Sequence, residues 1–267
     1  MQLMRKMVML SILSVGFNLP IQAAGWWDPY YTLKSMVSFK PTVWWNNYCY
    51  GTKKNFDEII GSGNKTEVVI NNDGVITSIT DNKQSPVLLG RIPQSQADID
   101  TIRDGLSQEE KVGIYTFNKY FERWLSDFEG LKQSKINKDS VIWHRYDTID
   151  YTSPSNVDLI RIVRDLDSRD KRGEKRAYVH CKAGRGRSAA GVIAYFLLLA
   201  KKDEKIADVS VGSLEAYLQT KRPQVALSSD ARVELEQLRM KLSKEPFEQI
   251  LQENAPVIAM RDAELSH

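Results

Sequence analysis

Cysteine and histidine are scarce in this chain: among 267 residues there are two cysteines, Cys49 and Cys181, and three histidines, His144, His180 and His267. So few thiols and imidazoles exclude a disulfide framework and give no ligand set with zinc-binding spacing, so the expected chemistry uses no metal and no other cofactor. A dominant charge is missing too. Thirty-seven basic side chains stand against 34 acidic ones, for a net charge of +3, and the two signs are mixed along most of the chain. That balance gives no electrostatic footprint for nucleic acid, which is not expected as a partner. No internal repeat, no long low-complexity linker and no Walker-type G-x-x-x-x-G-K-[ST] run occurs.

What is present is an ordinary globular composition, 42% hydrophobic and 27% charged, in a chain long enough to bury a sizeable core. One principal domain is expected. The N-terminus carries Arg5 and Lys6, an apolar segment from Met7 to Leu19, Pro20, and the small residues Ala23 and Ala24. This pattern predicts a signal peptide over 1–24 and export to a periplasmic or secreted location, with an uncleaved membrane anchor as the alternative. The apolar stretch is shorter than the about 20 residues of a transmembrane helix. Residues 25–86 read as an aromatic-rich extension, with a hairpin where Asn72-Asp73-Gly74 separates two β-branched runs.

From Val87 onward strand-like and helix-like segments alternate. Strands are expected at Val87 to Ile92, Val112 to Phe117 and Val141 to Arg145, and helices at about Gln94 to Leu106, Lys119 to Leu131 and Ser153 to Asp167, the last with Pro154 in its first turn. Helices near Gly212 to Leu218 and Ser228 to Leu242 complete a domain over 87–243, and 244–267 reads as a polar tail. This alternation predicts an α/β fold, a central mostly parallel sheet flanked by helices.

The densest signal is the run His180-Cys181-Lys182-Ala183-Gly184-Arg185-Gly186-Arg187-Ser188. An apolar strand, Ala177-Tyr178-Val179, leads into it and an almost wholly apolar helix, Ser188 to Ala200, leaves it. Strand, tight loop and helix is the setting in which backbone N–H groups converge on an anion at a helix N-terminus. Gly184 and Gly186 let the loop curl, Arg187 adds a planar cation matched to phosphoryl oxygens, and the same field lowers the pKa of the Cys181 thiol. A buried structural cysteine would not explain three charged residues crowded around two glycines. Gly184 to Ala189 also satisfies the dinucleotide pattern G-x-G-x-x-A. A Rossmann unit, however, needs a second strand with a terminal acidic residue, and Lys201-Lys202-Asp203-Glu204-Lys205 follows instead.

These residues resemble the signature of the cysteine-dependent protein tyrosine phosphatase superfamily: His-Cys, five residues, then Arg-Ser. Leu88-Leu89-Gly90-Arg91-Ile92-Pro93 and Lys221-Arg222-Pro223-Gln224-Val225 are similar to the first strand and the post-loop segment of compact dual-specificity phosphatases. The resemblance covers roughly Val87 to Leu242 and implies that fold, preceded by an N-terminal extension.

It also implies a mechanism. Cys181 attacks phosphorus, while Arg187 and the loop Lys182, Ala183, Gly184, Arg185 and Gly186 hold the phosphate. Asp150, in the loop after the third strand, serves as general acid and then base, with Asp147 as runner-up; the competing reading of either is a helix-capping aspartate. Ser188 stabilises the departing thiolate and His180 supports the loop. The family often uses a Gln after the second segment to place the hydrolytic water, and Ala226 to Ala231 contains none.

Lys182 and Arg185 give the loop a pattern similar to the phosphatidylglycerophosphate and phosphoinositide phosphatases. A phosphorylated lipid on an anionic membrane surface is therefore the expected substrate, with phosphotyrosine or mixed phosphoprotein as the alternative. Lys221 and Arg222 are expected to extend this basic rim. A phosphate-binding module without turnover is the remaining reading. Cys49, among aromatics, is a candidate partner for Cys181 under oxidising conditions and is otherwise a packing residue.

Overall fold

A computed structural model describes residues 56–83, 85–93, 95–119 and 140–265. The apolar N-terminal segment, the Trp- and Tyr-rich stretch, Cys49 and, beyond Lys119, the helix expected at Lys119 to Leu131 lie outside the described residues.

Among the described residues seven strands form one sheet: β1 (Phe56–Ser62), β2 (Glu67–Ile70), β3 (Ile76–Asp81), β4 (Val87–Arg91), β5 (Lys111–Asn118), β6 (Val141–Thr148) and β7 (Glu174–Cys181). Their order is β2-β3-β1-β4-β7-β5-β6. The four strands β4, β7, β5 and β6 run parallel, with Leu89 opposite Val179 and Tyr115 on its other side. Strands covered on both faces read as continuous apolar runs, and all of β4 is buried.

The expected boundary at residue 87 falls inside this sheet. Strand β1 pairs antiparallel with β4, placing Asp57 opposite Leu89, and the β2–β3 hairpin follows it through parallel pairing of β3 with β1. The physical reason is burial: Ile59, Ile60, Val68, Ile76 and Ile79 are all at most 3% exposed and share the main core, which an accessory hairpin could not supply. The sheet remains mostly parallel, as the alternation implies.

The helices among the described residues are α1 (Gln96–Ile102), α2 (Asn156–Asp167), α3 (Arg187–Lys202), α4 (Val211–Lys221), α5 (Ser229–Lys244) and α6 (Phe247–Leu265). Ser155 caps α2 through a bond from the Asp158 N–H, so Pro154 precedes the cap instead of occupying the first turn. Helix α3 is buried almost throughout and forms the spine on which α2 and α5 pack. Residues 244–267, expected as a polar tail, contain α6 instead. Ile250 and Ile258 are buried from that helix, and Asp262 accepts from Arg161 and Arg164 of α2 at 2.7 and 3.0 Å. The stripe at Ile250, Asn254, Ile258 and Asp262 has helical spacing that a largely polar composition conceals. Among the described residues no helix is long and apolar enough to cross a membrane.

Candidate active site

Parallel strands present their C-terminal ends to one crevice, and β7 delivers Cys181 there. The chain must then turn sharply into α3, whose first residue is Arg187. Gly184 makes the turn possible. Its φ is +68°, and a Cβ there would lie 2.3 Å from the Gly90 carbonyl oxygen on β4, so only glycine fits. The Ile92 N–H donates to the Lys182 carbonyl at 3.4 Å, completing the seam between β4 and the loop.

Cys181 is 3% exposed. Its Sγ accepts from the Gly184 N–H at 3.3 Å and from the Ser188 hydroxyl at 3.2 Å. Burial alone would raise the thiol pKa. The Arg187 guanidinium and the side-chain and backbone bonds from Ser188 outweigh it, against an opposing push from Asp150, and the pKa falls below the ordinary value. The shift favours the thiolate, the nucleophilic form of the side chain.

The ends of β5 and β6 hold Arg187: its Nη1 donates to the Phe117 and Thr148 carbonyls at 3.0 and 2.7 Å. Its other nitrogen meets Asp150 Oδ1 at 2.9 Å, while Lys182 Nζ pairs with the second carboxylate oxygen. Burial pushes Asp150 up, yet Arg187 and Lys182 together hold its carboxyl below the usual range. Lys182, itself 2% exposed, sits 5.2 Å from the centre of the Tyr151 ring. Tyr151 adopts φ +69°, a left-handed conformation uncommon for a bulky residue. The loop therefore presents Asp150 and Tyr151 together over the anion-binding loop.

A cavity of about 440 Å³ opens above these groups. Cys181, Lys182 and Arg187 line it together with the apolar Tyr151, Pro154 and Leu227. Ala183, Arg185 and Gly186 line it as well, and the exposed Arg185 is steadied by a 3.0 Å bond from Nε to the Gln224 carbonyl. His180 is fully buried behind the loop, stacked on Tyr178 with ring centroids 5.5 Å apart. Asp147 lies on β6 and does not line the cavity, whereas Asp150 does.

One expectation needs correction. Arg222 is no part of a basic rim: it is 0% exposed and donates to the Gly184 and Ala183 carbonyls at 3.0 and 3.2 Å. Lys182, expected in the phosphate-holding loop, is buried and faces Asp150. Sequence reasoning also missed Tyr151 and Leu227 as cavity walls, and no residue pattern marks them. Gln224 does not line the cavity, and its buried amide faces Arg222. Among the described residues no strand follows β7, which removes the dinucleotide-binding reading. No group of three or more His, Cys, Asp or Glu placed to hold a metal occurs among them.

A family model, protein-tyrosine phosphatase, matches residues 131–231. That range contains Asp150, the whole signature loop and the segment that buttresses it. Over those residues the chain is similar to the protein-tyrosine phosphatases. A human relative, phosphatidylglycerophosphatase and protein-tyrosine phosphatase 1, is 26% identical over 133 residues, 49% of this chain. The match spans 62% of that relative's length. A crystal structure of PTPMT1 in complex with PI(5)P is 23% identical, covering 60% of this chain and 94% of that one, with a TM-score of 0.47. Kinase associated phosphatase is 16% identical, covering 62% of this chain and 92% of that one, with a TM-score of 0.48.

Proposed function

We propose that this protein is a member of the cysteine-dependent protein tyrosine phosphatase superfamily and a metal-independent phosphate monoester hydrolase that works through a phosphocysteine intermediate on a phosphorylated lipid. The observation that carries the reading is Cys181, which accepts two hydrogen bonds and faces Arg187 at the floor of the cavity. In the first step Sγ attacks phosphorus, the ester P–O bond breaks, and Asp150 gives its proton to the leaving oxygen. In the second, water attacks phosphorus, Asp150 takes the water's proton, and the S–P bond breaks with Ser188 donating to the departing thiolate. Arg187 and the loop amides bind the equatorial oxygens in both steps.

Asp150 reaches its acid form through the substrate. Pairing with Arg187 and Lys182 favours its ionised form. A bound phosphate takes those cations, leaving a largely buried carboxylate whose desolvation then favours the protonated state. The substrate thus prepares its own proton donor.

The lipid reading is supported by Lys182 and Arg185, two cations beyond Arg187 on the cavity wall, and by the apolar flank of Tyr151, Pro154 and Leu227. Such a site suits a phosphate attached to a further anionic group at a membrane surface. The double name of the human relative supports phosphotyrosine as the second reading.

The test is phosphate release by reduced protein and its Cys181→Ser variant on phosphoinositides, phosphatidylglycerophosphate and phosphotyrosine peptides. Cys181-dependent turnover with lipid preference is expected. Preference for peptides would establish the second reading, and binding without turnover would leave a phosphate-binding module.

A further inference from the structure

We propose that Asp57, on β1, is a positioning residue for the phosphate-binding loop, acting through Arg222. The inference deepens the phosphatase reading and rests on it for its meaning, though its geometry stands apart from any substrate. Asp57 lies outside the residues matched by the family model and ahead of the expected domain start at residue 87. Nothing in the signature points to it.

Arg222 is fully buried and its guanidinium is shared among partners in a fixed fork. Nη1 meets Asp57 Oδ2 at 2.6 Å, Nε donates to the Gly184 carbonyl, and Nη2 donates to the Ala183 carbonyl. The consequence lies in peptide geometry. In a trans peptide the C=O and N–H point in opposite directions. The Ala183 carbonyl shares its plane with the Gly184 N–H, so the bond from Arg222 aims that N–H at Cys181 Sγ, which it reaches at 3.3 Å. The Gly184 carbonyl shares its plane with the Arg185 N–H, which must then point away from Arg222. One buried guanidinium thereby orients two successive amides of the anion cradle.

Asp57 fixes that guanidinium. Planar, bidentate-capable arginine is held best by a carboxylate, and a buried cation stripped of one seeks other acceptors or draws in water. Either response would release the two carbonyls. Asp57 is well placed to prevent it, since it sits opposite Leu89, next to the Gly90 whose carbonyl the loop presses against. Strand β1 thus braces the catalytic loop as well as widening the sheet.

The effect on the thiol has a diagnostic sign. Removing a negative charge would, by Coulomb's law alone, ease ionisation of Cys181 and lower its pKa. Loss of an aimed amide would raise it. The pH profile of Cys181 alkylation by iodoacetamide separates the two and needs no phosphate ester, so failure of the phosphatase reading would show separately as absent turnover in the parent protein. For Asp57→Asn we expect the alkylation midpoint to move to higher pH, inorganic phosphate to bind more weakly, and kcat/KM on an aryl phosphate to fall about ten- to a hundred-fold. Asp57→Glu should recover most of this, and Lys65→Ala, which severs an exposed pair on the same sheet extension, should match the parent. If Asp57→Asn does not fold, Arg222→Lys carries the test, because it keeps the cation and loses the fork; its midpoint should rise as well. A midpoint that is unchanged or lower in the folded variant overturns the proposal.

Discussion

Two arginines at opposite ends of the sheet are buried to nearly the same degree, Arg169 at 0% and Arg187 at 3% exposure, yet they do opposite work. Arg169 donates to the Ser85 carbonyl and hydroxyl, the Leu166 carbonyl, the Tyr195 hydroxyl and the Asp81 carboxylate, within 3.1 Å in every case. All of those partners are built into the core. Arg187 is fixed on one side by the carbonyls of Phe117 and Thr148, but it also pairs with Asp150, a loop carboxylate lining an open cavity. A buried cation becomes a binding site when one of its acceptors can be exchanged for a ligand. When none can, it is a rivet.

That contrast can be broken in several ways. The largest effect should come at the nucleophile beside Arg187: Cys181→Ser should reduce turnover by roughly 10⁴-fold or more while leaving thermal stability nearly intact, as read by phosphate release and melting temperature. Next, Arg187→Lys should lower kcat/KM by about 10²–10³-fold, because a point charge cannot replace a planar fork on an oxyanion. The matching Arg169→Ala should do the reverse. It leaves Asp81 buried without its cation, costing about 3–5 kcal/mol in urea unfolding, while kcat per folded molecule stays within a few-fold of the parent.

Asp150→Asn sharpens the idea of an exchangeable partner. It should lower kcat about a hundred-fold through loss of the proton donor and still bind inorganic phosphate more tightly, since phosphate no longer competes with a carboxylate for Arg187 and Lys182. Titration calorimetry on the folded variant reads this directly, and weaker binding would show that Asp150 does not occupy the anion site. The smallest effect is on stability. The folded pKa of Asp150 lies below its unfolded value of about 3.9, so its ion pairs stabilise the fold fully above that value and are lost as pH falls through the lower, folded one. The stability difference between parent and Asp150→Asn should therefore shrink below about pH 4, which unfolding curves at pH 3 to 7 would reveal.

Legibility followed the range of the interactions. The alternation from Val87 onward reads correctly as a mostly parallel α/β sheet because β4, β5 and β7 each carry a buried apolar run. The loop from His180 to Ser188 is readable because its whole geometry is local, a strand, two glycines and a helix start in contiguous sequence. Asp150 is readable only by analogy of position, being 31 residues before Cys181 with no spacing rule to connect them. Strand β1 and helix α6 were misread for a common reason. Their apolar positions are few, and they become core only against surfaces supplied by β4 and α2, which composition cannot foresee.

The sequence by itself determined the make-up of the loop: one thiol, its cations and its glycines, because those are set by residue type within one turn of chain. The tertiary structure alone decided that Lys182 faces Asp150 instead of solvent, that Arg222 is an internal brace, and that Asp57, 124 residues before Cys181, reaches the same loop. The reason is that charge and hydrogen-bonding groups carry no sign of burial in the sequence. Burial is assigned by packing between distant segments, and it is burial that turns an arginine into a rivet, a brace or a binding site.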